Sequence, residues 1–290
     1  MMIKKKRWIP LVILLAIVCA ILLAGFAYKK HKETLPEEDI YEQTDNSVAE
    51  DDKEASEPMD TDQDKKQDSA VSDVTTEEPA ANSHVVVIDP GHQGQGDSTT
   101  EPNGPGSSTM KARVAGGTHG TTTGVYEYQL TLAISQQLQA ELENRGYTVY
   151  MTRTSHDVNI SNMERAQYAT SVGGEIAVRI HANGVDNASV SGAMALAPSS
   201  ANPYIAYLAD SSWNLSKCIL DSYCGATGMR NQGVSTSDTM TGINWSTVPV
   251  TILEMGYMTN PTDDVNMEDP AYQARMVQGI ADGIDAYFGL

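Results

Sequence analysis

Two histidines and two glutamates stand where apolar stretches of this chain meet turns, and their residue types match hydrolytic metal chemistry. His92 closes "VVVIDPGH", His181 lies in "EIAVRIHAN", and Glu254 interrupts "VTILEMGYM". Each apolar run reads as a strand, and open parallel sheets bind ligands beyond the carboxyl ends of their strands. Glu127, in "GVYEYQL", opens the next amphipathic segment, where its carboxylate is expected to project back over the same edge. Two imidazoles and one carboxylate around an open position make a catalytic zinc site, so His92, Glu127 and His181 are the candidate ligands. Zinc there would acidify water toward a pKa of about 7 and polarise a carbonyl. Glu254 is the candidate general base, taking the proton of attacking water and returning it to a leaving nitrogen. Burial would raise its pKa and zinc would lower it, a balance the sequence leaves open.

Singly, these residues have plainer readings. A histidine after a strand is commonly structural, and a glutamate in a first helical turn is favoured by the helix dipole alone. Glu254 is odder, because a carboxylate inside an apolar strand needs a partner. It is the coincidence of four such residues at one sheet edge that points to a site. Asp89 either accepts the second ring proton of a ligand histidine or simply makes the Asp-Pro-Gly turn. Arg179 and Asn183, flanking His181, are further candidates for supporting the site or touching substrate.

The elements that must position these groups alternate. "HVVVIDP" reads as a strand, and "YEYQLTLAISQQLQAELENRG" as a helix with Leu130, Ile134, Leu138 and Leu142 on one stripe, stopped at Gly146. "YTVYMTR" is a strand. Ser161 and Glu164 form a capping-box pair at the start of the next helix. "GEIAVRIHAN" and "GAMALAP" are strands, "IAYLADSSWNLSKCILDSY" a helix, "PVTILEMGYMT" a strand, and a closing helix begins at Pro270. This order implies an α/β fold: a mostly parallel, open, twisted sheet flanked by helices on both faces. Residues 93–123, rich in Gly, Ser, Thr and Pro, are long enough for a functional loop, a substrate-shaping lip or a lid.

The net charge of −19 is unevenly spread. Residues 1–32 carry a basic tail and an apolar run, 8–28, long enough for a membrane-spanning helix. A cleaved signal peptide is the competing reading, and the residue before Cys19 is too large for a lipoprotein signal. Residues 33–83 are an acidic, apolar-poor spacer. Residues 84–290 suffice for one α/β domain and remain acidic, which argues against nucleic-acid phosphates as partners. Cys218 and Cys224, six apart in a helix, point to different faces and do not suggest a bridge. No phosphate-binding loop, H-E-x-x-H pair or nucleophile elbow occurs.

Together "VVVIDPGHQG", "TGVYEYQLTLAISQQL", "YTVYMTR", "NISNMERAQYA", "EIAVRIHAN" and "VPVTILEMGYMTN" resemble the zinc-dependent N-acetylmuramoyl-L-alanine amidases of the Amidase_3 type, across essentially all of 84–290. The resemblance implies a cell-wall hydrolase with His92, Glu127 and His181 on zinc and Glu254 catalytic. Its scissile bond would join the lactyl group of N-acetylmuramic acid to L-alanine of the peptidoglycan stem. Arg179 stands where such enzymes often have serine, and near the groove it would meet a stem-peptide carboxylate. The implied setting is a membrane-tethered autolysin on the cell-wall side, or a secreted one after signal cleavage. Alternatives are a zinc peptidase acting within the stem and a non-catalytic wall-binding domain. Any activating protein partner leaves no signature in the sequence.

Overall fold

The computed structural model describes residues 84–290; the expected membrane helix and acidic spacer lie outside the described residues. Among the described residues, no helix is long and apolar enough to cross a membrane.

Among the described residues, eight strands and six helices follow one another. They are β1 (Val85–Pro90), β2 (Asp97–Pro102), β3 (Met110–Val114), α1 (Glu127–Asn144), β4 (Thr148–Met151), α2 (Asn162–Ser171), β5 (Ile176–Asn183), β6 (Ala193–Ala197), α3 (Ala209–Thr227), β7 (Asn231–Thr236), α4 (Thr241–Asn244), β8 (Val250–Tyr257), α5 (Pro261–Glu268) and α6 (Pro270–Phe288). The six-stranded sheet has the order β4-β1-β5-β8-β6-β7. Strands β4, β1, β5 and β8 are mutually parallel. Strand β6 runs antiparallel to β8, and β7 follows its direction. A parallel return needs a crossover of about a dozen residues or more. The connection from β5 to β6, residues 184–192, contains no helix and reverses the chain.

The strands alternate between two cores because successive side chains face opposite ways. Val86, Ile88, Ile176, Val178, Ile180, Leu253 and Met255 pack on the side of α1, α3 and α6. Val87, Ala177, Val250 and Ile252 pack with Ala169 of α2 and Ile243 of α4 on the other. The expected stripe of α1 is fully inside, with Leu130 2 % exposed and Ile134, Leu138 and Leu142 at 0 %. Each such side chain contributes about 1.5–3 kcal/mol by leaving water. Gly146 takes a left-handed φ of 86°, ending the helix as expected. Ser161 accepts from Glu164 N while Glu164 accepts from Ser161 N, completing the box before α2.

Residues 93–123 do not form a loose lid. They hold the hairpin β2-β3, which is fastened to the body at several points. Arg113 pairs with Glu164 of α2 at 3.0 Å, besides Asp97 within the hairpin at 3.2 Å, and Glu101 accepts from Met163 N at 2.9 Å. The Trp245 indole donates to Pro102 O at 2.8 Å, and Asn244 donates to Asn103 O at 3.1 Å. The hairpin escaped sequence reading because "DSTTEP" has no apolar alternation; its strands are held by polar bonds instead. The polar β7, "NQGVST", is absent from the sequence reading for the same reason.

Candidate metal centre

Strand β1 ends at Pro90, and Gly91 N still donates to Ile180 O of β5 at 2.9 Å. His92 then turns sharply, with φ 58°, the one left-handed non-glycine among the described residues. Such a conformation costs about 1–3 kcal/mol and persists only where surroundings enforce it. Two buried arginines do so by holding three successive carbonyls. Arg153 donates to Pro90 O at 3.0 Å and Gly91 O at 2.9 Å; Arg165 donates to Pro90 O at 2.9 Å and His92 O at 3.0 Å. The Thr131 hydroxyl adds a bond of 2.8 Å to Gly91 O. A clamp from α1, α2 and the segment that follows β4 thus holds the turn that delivers His92.

The His92 ring is fixed as well, since its Nδ1 lies 2.9 Å from Ala115 O. A carbonyl can only accept, so Nδ1 carries the proton and Nε2 presents its lone pair. Nε2 lies 3.2 Å from Glu127 Oε1, and His181 Nδ1 lies 3.2 Å from the same oxygen. Glu127 opens α1, where the helix dipole favours a carboxylate, and its oxygens accept from Thr118 N and Ala182 N, both at 3.0 Å. The dipole reading of this residue and the ligand reading therefore coincide. One donor atom from each of His92, Glu127 and His181 lies within 4.8 Å of the other two, so this group could hold a metal ion.

His181 and Glu254 are register partners on neighbouring parallel strands, so they face the same side of the sheet. Their approach to the turn requires glycine at position 91, because a Cβ there would lie 2.4 Å from His181 Cε1. Gly117, at φ 82°, similarly leaves room for the His92 ring.

The electrostatics are those of a buried, mutually interacting cluster. Burial alone would raise Glu127, but the neighbouring imidazoles hold its carboxyl well below the usual range. Burial lowers His181 to about 4, so it is neutral at pH 7, as a ligand must be. His92 is raised: burial works against this, and the charge and hydrogen bond of Glu127 outweigh it. Glu254 is raised by burial and then by the Glu127 charge, which leaves its carboxyl poised to hold a proton. Glu254 Oε2 and His181 Nε2 are buried without a partner. Buried polar atoms are nearly always bonded, so two orphans beside three converging donors fit a site made for a cation and for water. A His-Glu-His donor set with room for a further ligand suits zinc.

The surrounding candidates fare differently. Asp89 touches neither ligand histidine; it accepts from Arg165 at 2.8 Å, Arg179 at 2.7 Å and Thr152. It therefore supports His92 at one remove, by holding Arg165. Arg179 is not a groove residue: it is 5 % exposed and spent on Asp89 and on Asn162 Oδ1, the latter at 2.8 Å. Asn183, also buried, closes the end of β5, where its carbonyl accepts from Met258 N at 2.8 Å and its side chain from Gly184 N at 2.8 Å. Sequence reasoning overlooked Arg153, Arg165 and Thr118. A charge directly after an apolar strand was the available signal for Arg153; Thr118 acts through its main chain and gave none.

An α/β sheet bearing a His-Glu-His donor set that could hold a metal, with a buried glutamate on the neighbouring strand, is the arrangement that metal-assisted hydrolysis requires. The N-acetylmuramoyl-L-alanine amidase family model matches residues 86–286, and the chain belongs to that family. The probable cell wall amidase LytH of Staphylococcus aureus is 27% identical over 219 residues, 75% of this chain but 63% of the relative's own length. Among solved structures, the N-acetylmuramyl-L-alanine amidase Ami1 of Mycobacterium smegmatis is similar, with TM-score 0.64 and 25% identity over 71% of this chain and 97% of that one. The amidase of Clostridium difficile 630 shares the fold, with TM-score 0.59 and 23% identity over 72% of this chain and 98% of that one.

Proposed function

We propose that this chain is a peptidoglycan hydrolase that cleaves the amide between the lactyl group of N-acetylmuramic acid and L-alanine of the stem peptide. The observation that carries the reading is the convergence of His92, Glu127 and His181, with Glu254, one oxygen of which is buried without a partner, in register with His181, in a chain of this family. His92, Glu127 and His181 would hold zinc. Bound there, zinc supplies Lewis-acid polarisation of the scissile carbonyl and makes water more acidic.

The chain's own groups do the rest. Glu254, which a cation bound beside it would return to the carboxylate form against the burial that raises it, uses Oε2, free of any protein donor, to take a proton from the attacking water and return it to the leaving nitrogen of L-alanine. Ala115 O fixes the His92 tautomer, while Thr118 N and Ala182 N hold the Glu127 carboxylate, so little reorganisation accompanies reaction. The apolar run at 8–28 would tether the enzyme to the membrane, with the spacer at 33–83 carrying the catalytic domain toward the wall.

The test is to incubate zinc-loaded full-length chain with purified peptidoglycan and map newly formed amino termini. L-alanine termini support the proposal; termini deeper in the stem would make the protein a peptidase instead, and intact wall would overturn the activity. Co-sedimentation with membranes, lost in a chain beginning at His84, tests the tether.

A further inference from the structure

We propose that His119, Tyr126, Tyr128 and His156 form a stacking platform for the sugar rings of a glycan strand beside the metal centre. The proposal rests on the hydrolase reading above and assigns one surface of it.

The four rings form a continuous row. His119 and Tyr126 lie 5.8 Å apart between centroids, Tyr126 and Tyr128 5.6 Å in a stacked pair, and Tyr128 and His156 5.1 Å edge to face. Tyr126 is 48 % exposed, His119 and His156 are exposed, and Tyr128 is half-buried. Aromatic rings so exposed at the surface have not been recruited to the core, and contiguous apolar surface of this kind marks ligand grooves.

The row is tied to the site through the main chain. Tyr126 and Tyr128 flank Glu127 in sequence, and His119 follows Thr118, whose N–H bonds the Glu127 carboxylate. At the far end His156 O accepts from Gly94 N at 2.9 Å, two residues beyond His92. A platform running from the Glu127 side to the His92 side therefore borders the place where the amide would sit. That amide is joined through a lactyl group to a sugar, so the sugar must lie on the rim of the centre.

The chemistry of the rings selects the occupant. A pyranose has an apolar face of C–H groups and a polar rim of hydroxyls. Tyrosine and histidine match it with an apolar body and a hydrogen-bonding tip. A leucine or phenylalanine patch would suit another protein or a lipid better. An uncharged sugar backbone also meets no repulsion from a chain whose net charge is −19.

The experiment uses full-length Glu254→Gln protein loaded with zinc, and as the probe peptide-free glycan strands whose lactyl carboxyls have been converted to amides, so that the strand is uncharged; affinity is measured calorimetrically. Replacing His119, Tyr126 and His156 together by Ala should weaken binding about tenfold while zinc content stays at the parent's level. The ring-preserving Tyr126→Phe and His156→Phe exchange should retain most of the affinity. In the wild-type background, the alanine set should raise KM on polymeric wall while sparing kcat on a single-sugar muropeptide. Equal binding by the alanine set, or no binding of strands by any protein, would overturn the platform. Ring-dependent strand binding by a wild type that releases no L-alanine termini would keep the platform and overturn the hydrolase reading.

Discussion

Glu254 is a carboxylic acid placed among apolar strand residues, 7 % exposed and with one oxygen lacking any partner. Removing its charge while keeping its shape should separate binding from chemistry. Glu254→Gln is expected to keep the metal and lose about 10²- to 10⁴-fold in turnover, read by zinc content alongside release of L-alanine termini. Gly91→Ala should do the reverse. Its methyl would collide with the His181 ring, so the folded protein, verified by circular dichroism, should lose zinc affinity by about tenfold or more. Retention of full zinc content at limiting metal would show that the ring can swing aside. His92, His181 and Glu254 were legible in the sequence because imidazoles and carboxylates are conspicuous at the ends of apolar runs. Arg179 was misread because a sequence displays a charge without its partner. Asp89 lies 90 positions away, and only the pairing of β1 with β5 makes the two neighbours.

At the scale of elements, the decisive arrangement is the arginine clamp on the turn after β1. Asp89 ties β1 to α2 through Arg165 and to β5 through Arg179. Burial would raise its pKa, but the two guanidinium groups and the Thr152 hydroxyl hold it well below the usual carboxylate range. A depressed folded-state pKa means that this carboxylate stabilises the fold fully above about pH 3.8, and that its contribution fades as pH falls further. Asp89→Asn should therefore cost about 3–5 kcal/mol at pH 7 by leaving two buried arginines without their anion. The deficit relative to wild type should shrink steadily below pH 4 in denaturant titrations; a deficit independent of pH would remove Asp89 as the source. The capping box of α2 and the stripe of α1 were readable, because each is written within a few residues. The hairpin β2-β3 was not, since its fastening to Glu164, Trp245 and Asn244 is a matter of distant polar partners.

For the whole molecule, the centre gathers groups from β1, α1, β5 and β8, so an ion bound there would tie these elements together. A ligand that binds only the folded chain stabilises it by mass action, about 2.7 kcal/mol at a hundredfold excess over Kd. Adding zinc at that excess to chelator-treated protein should raise Tm by about 5–10 °C. No shift, or a shift that survives replacement of His92 and His181 by Ala, would mean that the cation acts elsewhere. By itself the sequence determined the order of β1, α1, β4, α2, β5, β6, α3, β8 and α6, the core stripe of α1, the helix caps, and the residue types able to bind a metal and move a proton. These depend on periodicity and turn chemistry, which are local. Tertiary structure alone decided that β6 runs antiparallel, that residues 93–123 are a fastened hairpin, that Arg179 faces Asp89, and that two arginines enforce the turn at His92. Each of these depends on strand register and on hydrogen bonds between groups far apart in the chain, and such pairings are settled only when the sheet closes around them.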